Sequence, residues 1–396
     1  MNLNNKQLEA LNLVKENKNV FITGSAGTGK SFTLKFITNY LSSQSKKYAI
    51  TALTGCAAVL INAQTIHSYL CLGINYSNIS AIYLKYKTQL NKILNLNTLI
   101  IDEISMMNNE LLEKINELLC LIKKNELPFG GIQIIFVGDF CQLPPINGMY
   151  CFQSDLWEKL NLNIIILDEL MRQKEDNQLQ LILEEIRKGI CSDDTYKILK
   201  ELKNTKFENN IKPTKLYPIN INVNLINDNA YNKLLKINNN NFITYKSTAS
   251  HKYINTSEYD VSLTLHAQII ITRNIAIMDG LINGTRGIIT NLNTDSVTIK
   301  DINNNTHIIN YYKDINTNTK TRISFLPIKL AYALSIHKSQ GSTIDALELD
   351  LGRDIFVSGQ LYTALSRAKT LNSIRIINIS RESFMINQEV KKFYNL

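Results

Sequence analysis

The stretch Gly24-Ser25-Ala26-Gly27-Thr28-Gly29-Lys30-Ser31 fits the phosphate-binding pattern G-x-x-x-x-G-K-[ST] without a mismatch, and it dictates its own surroundings. Val20-Phe21-Ile22-Thr23 before it is a compact β-branched and aromatic run, and Phe32 to Leu41 after it carries apolar residues at helical spacing. Strand, glycine loop and helix is the setting such a loop needs. Glycines take positive φ and approach a polyphosphate closely, and the N–H groups at the helix N-terminus donate to its oxygens. Lys30 would reach the β- and γ-phosphates, and the Ser31 hydroxyl would ligate Mg²⁺, which makes ATP and Mg²⁺ the expected cofactors.

A second chemical signal lies downstream. Thr98-Leu99-Ile100-Ile101 is an apolar run that ends in Asp102-Glu103. A buried parallel strand ending in two acids sets them at the carboxyl edge of its sheet, where open α/β folds bind ligands. Asp102 would hold Mg²⁺ together with Ser31, and Glu103 would orient or polarise an attacking water. Ile132 to Val137 is a third buried strand, closed by Gly138-Asp139 and leading to Gln142-Leu143-Pro144-Pro145. Ile164 to Leu167 is a fourth, followed by Met171-Arg172-Gln173. Strands alternating with helices mean a parallel sheet, and one complete nucleotide-binding domain closes near Asp168. Upstream, Asn4 to Lys15 reads as an amphipathic helix with Leu8, Leu11 and Val14 on one face and Gln7 near its start.

The remaining segments are less uniform. Tyr48 to Leu53 is a short strand ending in Thr54-Gly55, followed by a small-residue helix that reaches Thr65-Ile66-His67-Ser68. The stretch from Tyr69 to Asn97 reads either as an inserted subdomain or as a simple helix. Asn177 to Asn241 starts helical and becomes an Asn-rich αβ region. Between Gly284 and Arg322, short runs at Gly287 to Thr290, Ser296 to Ile299 and His307 to Ile309 alternate with polar turns, the texture of a small antiparallel barrel inserted into a second domain. An α/β texture then returns, with Ala331 to Ile336, the strand Leu347 to Leu351, a helix from Gln360 to Arg367 and the strand Ile374 to Ile377.

A length of 396 residues suggests two or three domains, and 44% hydrophobic with 19% charged residues gives ample material for real cores. Lys and Arg exceed Asp and Glu by 43 to 34, a net charge of +9 that suits a polyanionic partner without establishing one. Cys56, Cys71, Cys120, Cys141, Cys151 and Cys191 show no CxxC pair and no metal spacing, so they read as reduced, mostly core residues. The polar start Met1-Asn2-Leu3-Asn4-Asn5-Lys6 carries no signal peptide, and no apolar run approaches the ~20 residues of a membrane span.

Taken in order, these motifs resemble those of superfamily-one DNA helicases of the Pif (petite integration frequency) type, with RecD as a more distant relative. The resemblance covers nearly the whole chain. It rests on GSAGTGKS at 24–31, IIDEISM at 100–106, PFGGIQIIFVGDFCQLPP at 128–145, MRQ at 171–173, SIHKSQGST at 335–343 and YTALSRAK at 362–369. It implies an α/β chain of two tandem RecA-like P-loop domains, 1–168 and 169–396, with a wedge subdomain near 70–97 and an SH3-like β-barrel at 285–322 within the second. It further implies ATP between the domains, single-stranded DNA running over both, and a monomeric motor moving 5′ to 3′. Gln7 matches the adenine-reading glutamine, Gln142 the glutamine that senses the γ-phosphate, and Gly341 the glycine packed near it. Arg172 and Arg367 match arginines that reach the γ-phosphate, the arginine-finger device. Thr54, His67, His337 and Lys338 match DNA-contacting positions, which would give sequence-independent, salt-sensitive binding, with Tyr69 and Phe140 as candidates for base stacking.

Some residues read differently alone. Arg367 by itself is a surface residue at a helix end, and His67 a satisfied structural histidine. The chain also departs from the pattern: almost nothing precedes Gln7, Asn108 stands where relatives often carry an acid, and the wedge region is short or divergent. A DNA-bound ATP switch that clamps or remodels nucleoprotein without unwinding is therefore a second reading. A P-loop kinase is a third, which Arg172, Arg367 and SIHKSQG argue against. The resemblance places such a chain inside the cell, in a nucleus or other DNA-containing compartment, or in the cytoplasm for a virus, with roles in replication, repair, recombination or telomere maintenance.

Overall fold

The structure, a computed structural model, describes residues 3–396 except 62, 74, 75, 170, 174, 175, 208–210, 219, 251–255, 274, 277, 278, 280, 282, 317–320, 353, 354 and 356. Met1 and Asn2, parts of the wedge region and of the barrel region, and the Cys56 side chain thus lie outside it. The chain forms two compact units. One comprises Met1–Ile190, Val357–Ser366 and Phe384–Leu396; the other comprises Cys191–Phe356 and Arg367–Ser383.

The first unit follows the order α1 (Asn5–Lys15), β1 (Val20–Gly24), α2 (Lys30–Ser43), β2 (Tyr48–Ala52), α3 (Gly55–Leu60), β3 (Gln64–Thr65), α4 (Ile66–Tyr69), α5 (Ile79–Leu90), β4 (Thr98–Asp102), α6 (Asn109–Lys123), β5 (Gln133–Val137), α7 (Asp155–Lys159), β6 (Asn163–Leu167) and α8 (Asn177–Arg187). The six strands make one parallel sheet in the order β3-β2-β4-β5-β1-β6. Parallel pairing explains the near-continuous apolar runs, because helices cover both faces. Successive side chains of β1 and β5 go to opposite sides. Val20, Ile22, Ile135 and Val137 join Leu11, Val14, Leu34, Ile37 and Leu41 under α1 and α2. Phe21 and Phe136 enter an aromatic layer in which Phe136 stacks on Trp157 at 5.4 Å between ring centroids.

Three expectations change here. The buried face of α1 is Gln7, Ala10, Leu11 and Val14, while Leu8 is 45% exposed, so a polar residue takes an inward position that hydrophobic spacing assigns to a leucine. β6 is an edge strand, and its Ile164 and Ile166 are about half exposed. Phe140 and Tyr69 are buried: Phe140 lies among Phe21, Phe152 and Phe393, and Lys92 Nζ sits 4.1 Å from the Tyr69 ring centroid. Neither is available to stack on a base.

The second unit contains α9 (Asp193–Glu201), β7 (Thr214–Tyr217), α10 (Asn220–Ile237), β8 (Ile243–Tyr245), β9 (Thr248–Ala249), β10 (Val261–Leu263), β11 (Gln268–Ile271), β12 (Arg286–Leu292), β13 (Ser296–Asp301), β14 (Thr306–Asn310), β15 (Tyr312–Asn316), β16 (Thr321–Phe325), β17 (Ile328–Leu330), β18 (Ala333–Ser335), α11 (Ile336–Ser339) and β19 (Leu347–Leu351). The chain then passes through α12 (Gln360–Leu365) in the first unit, returns for β20 (Ile374–Ile379), and ends in α13 (Gln388–Tyr394), again in the first. A parallel sheet β18-β7-β19-β20 forms one layer, and an antiparallel sheet β14-β13-β12-β11-β17 surrounds a core of Ile269, Ile271, Ile289, Val297, Ile299 and Ile309. Arg286, fully buried, holds Asp345 through two hydrogen bonds of 2.6 Å.

Among the described side chains, Cys71, Cys120, Cys141 and Cys151 are free thiols, and of these Cys141 and Cys151 are buried. Among the described residues no helix is long and apolar enough to cross a membrane.

Candidate active site

β1 ends at Gly24 and α2 begins at Lys30, with Gly29 as its N-cap at φ 87°. Between them the loop folds over its own lysine: Lys30 Nζ donates to Gly24 O at 2.7 Å and to Ser25 O at 3.0 Å. Desolvation lowers the Lys30 pKa, opposed by the carboxylates of Asp139, Glu103 and Asp102. Ser31 lies exposed in the first turn of α2. Gln7 closes a capping box with Asn4, its Oε1 accepting from Asn4 N at 3.1 Å, and its side chain reaches Gly29: a Cβ there would come within 2.8 Å of Gln7 Nε2. That buried Nε2 has no hydrogen-bond partner among the described residues. A buried donor without an acceptor is costly, and a ligand beside the loop would satisfy it.

The acids come from the next strand but one. β4 lies beside β5, which lies beside β1, so the ends of all three strands meet at one sheet edge. Burial raises the Asp102 pKa to about 7, with Glu103 adding to the rise, while the Glu103 N–H that Asp102 accepts at 2.9 Å and Lys30 act against it. Glu103 has φ 56°, a left-handed conformation that a non-glycine residue adopts at a cost of about 1–3 kcal/mol.

After β5 comes Asp139, fully buried and paired with Arg187 from α8, Nη2 to Oδ1 at 3.2 Å. Burial works against the charge on Arg187, and Asp139 overrides it, leaving the guanidinium pKa raised. The Arg187 guanidinium lies 5.0 Å from the Tyr394 ring centroid, and the Tyr394 hydroxyl bonds Thr23 Oγ1 at 2.6 Å and accepts from Phe140 N at 3.2 Å. Gln142 follows, 4% exposed, with its N–H donating to Asp139 O at 2.9 Å.

Against this edge packs α12. Its N-cap Gly359 has φ 82°, and a Cβ would come within 2.2 Å of Gln142 O. Gly359→Ala is therefore expected to lose about 2 kcal/mol or more, a fall of roughly 4–8 °C in Tm by thermal melting. The hydroxyl of Tyr362 accepts from Ala26 N at 2.8 Å, and Ser366 O accepts from Arg172 Nη1 at 2.9 Å. Arg172 itself rests on the phosphate loop: its N–H and that of Met171 donate to Gly27 O, and at Gly27 (φ 90°) a Cβ would meet the Arg172 Cβ at 2.7 Å. The structure thus brings Gln7, residues 24–31, Asp102, Glu103, Gln142 and Arg172 together. Asp139, Arg187, Tyr362 and Tyr394 join them without having been singled out. Asp139 and Tyr362 do stand inside the quoted motifs, which is the one signal that marked them.

In the second unit Arg367 is 1% exposed, not a surface residue, and its Nη1 donates to Ser339 O at 3.4 Å, two residues from Gly341. Thr65 caps α4 by accepting from Ser68 N, and Ser335 caps α11 by accepting from Lys338 N, so His67 and His337 occupy the same place in two short, similarly capped helices. Both imidazoles are half-buried with pKa lowered by burial, hence neutral near pH 7. His67 lies 5.9 Å from the Tyr76 ring. Lys338 is exposed. The Thr54 hydroxyl accepts from Ala57 N at 3.2 Å, which gives it a structural task in starting α3. Asn108 caps α6 through Leu111 N and donates its amide to Asn147 O at 3.0 Å. An aspartate would cap equally well and could not donate.

A model of the PIF1-like helicase family matches residues 2–197. The ATP-dependent DNA helicase Pif1 of Bdellovibrio bacteriovorus is 31% identical over 410 residues, covering 99% of this chain and 91% of that protein. The ATP-dependent DNA helicase PIF1 of Xenopus laevis is 33% identical over 417 residues; the alignment covers 99% of this chain and 64% of that protein, so the chain spans a little under two thirds of its length. The crystal structure of Bacteroides sp Pif1 in complex with ADP-AlF4 matches with a TM-score of 0.84 at 26% identity, covering 100% of this chain and 97% of that one.

Proposed function

The chain belongs to the PIF1-like helicase family, and from that membership we propose that it is an ATP-dependent DNA helicase, a monomeric motor that moves 5′ to 3′ on single-stranded DNA and separates duplex strands in replication, repair or recombination. The observation that carries the reading is the convergence of Lys30, Asp102, Glu103 and Gln142 at the carboxyl edge of one parallel sheet, with the unsatisfied Gln7 amide beside the loop.

The residues fit a nucleotide with Mg²⁺. The donor of Gln7 would read the base, and Lys30 with the loop N–H groups would hold the phosphates. Ser31 and Asp102 would hold Mg²⁺, whose charge beside Asp102 offsets the desolvation that raises its pKa. That ion supplies charge neutralisation on the phosphates. Glu103 orients the attacking water, Gln142 contacts the γ-phosphate, and Arg172 and Arg367 supply positive charge to it, with Gly341 next to Arg367's anchor at Ser339. Thr54, His67, His337 and Lys338 are the proposed DNA contacts; with neutral imidazoles, most of the salt dependence there falls to Lys338. We read the parallel sheets of the two units as the cores of two RecA-like domains, α5 as the wedge element, and the antiparallel strands between 285 and 322 as an SH3-like insertion.

Duplexes with a 5′ or a 3′ single-stranded tail, incubated with ATP and Mg²⁺, test this. Unwinding of the 5′-tailed substrate alone is the expected result. DNA-stimulated hydrolysis with neither duplex opened would replace the helicase with a clamp or remodeller.

A further inference from the structure

One donor of the phosphate loop is already held by a side chain. Tyr362, 2% exposed, accepts the Ala26 N–H at 2.8 Å. Burial raises the phenol pKa, so the oxygen accepts as a neutral hydroxyl. The segment that carries Tyr362 is fixed at two further points: Gly359 abuts Gln142 O, and Ser366 O receives Arg172 Nη1 and, at 3.4 Å, Gln173 Nε2. Arg172 in turn leans on Gly27. The loop, Gln142 and Arg172 therefore share residues 357–366 as a common brace, and Arg367 is the next residue in the chain.

We propose that the Tyr362 hydroxyl is a positioning group for ATP hydrolysis: by fixing the phosphate loop at Ala26 against α12, it keeps the loop in register with Gln142 and Arg172. Tyr362 touches no substrate in this role. Ground-state affinity is spread over Lys30, several loop N–H groups and Gln7, so loosening one brace point alters it little. Hydrolysis depends on the relative placement of Glu103, Gln142 and Arg172 around one phosphoryl group, where a displacement of about 1 Å costs up to ~100-fold. The signature is a loss in kcat without a matching loss in affinity.

The inference rests on the helicase reading only as far as ATP turnover. Tyr362→Phe keeps the ring and removes the oxygen. Steady-state hydrolysis with saturating single-stranded DNA, binding of a fluorescent ADP and thermal melting are measured on the same preparation. We expect kcat to fall about tenfold or more, with KM and the ADP Kd within about threefold. A fluorotyrosine placed at 362 keeps the shape, weakens the oxygen as an acceptor, and is expected to give a smaller fall in kcat. A wild-type kcat in either variant overturns the role, as does a loss shared equally by ADP binding, which marks general damage to the loop. A wild-type chain that hydrolyses ATP yet opens no tailed duplex fails the helicase reading and leaves the Tyr362 test standing.

Discussion

Lys30→Ala is expected to lower DNA-stimulated ATP turnover by about three orders of magnitude and to abolish unwinding. The ammonium is bonded in this structure to the carbonyls of Gly24 and Ser25 and faces the carboxyl groups of Asp139, Glu103 and Asp102. In the proposed mechanism the same group would supply the charge that stabilises the transferring phosphoryl once phosphates take the loop, and alanine would supply nothing at that distance. Lys30→Met, which restores the stem and not the charge, is expected to be equally inactive. Phosphate release, with circular dichroism to show an intact fold, checks both. Full turnover in Lys30→Ala would remove the site from this loop.

Arg187→Met is expected to be the most damaging single change to stability, at about 3–5 kcal/mol, because it leaves Asp139 charged and fully buried without its partner. Nearby Lys30 offsets part of that, which favours the lower end. For a unit of this size the loss corresponds to roughly 6–20 °C in Tm by calorimetry. Asp139→Asn with Arg187→Met should recover much of the loss, since the uncompensated charge goes with it. A single variant that melts within 2 °C of wild type would show the pair to be idle.

The contrast between what was and was not legible in the sequence follows the range of the interactions. The phosphate loop, the acids at the end of β4 and Gln142 after β5 are encoded locally, by apolar runs that stop at a sheet edge, and they meet because parallel strands put all such ends on one side. Contacts across long stretches of chain leave no periodic trace. Tyr362 finds Ala26 across 336 residues and Arg172 finds Ser366 across 194. Local readings erred where tertiary demands outweighed pattern. Leu8 yields the inward place to Gln7, whose polar amide lies beside Gly29 of the loop, and Phe140 serves the aromatic layer that α13 closes. β6 reads as interior from its isoleucines and stands at the edge, because among the described residues it pairs in the sheet with β1 alone.

The docking of α13 bears on how the protein is made. Tyr394 bonds Thr23 across 371 residues, and Phe393 completes the aromatic layer around Phe140. A ribosome will have built every residue of the second unit before it supplies these two side chains. The first unit therefore leaves the exit tunnel with its aromatic layer open on one side, and the final packing step becomes available only after the second unit has been made, a delay that favours chaperone capture of the nascent chain over early folding.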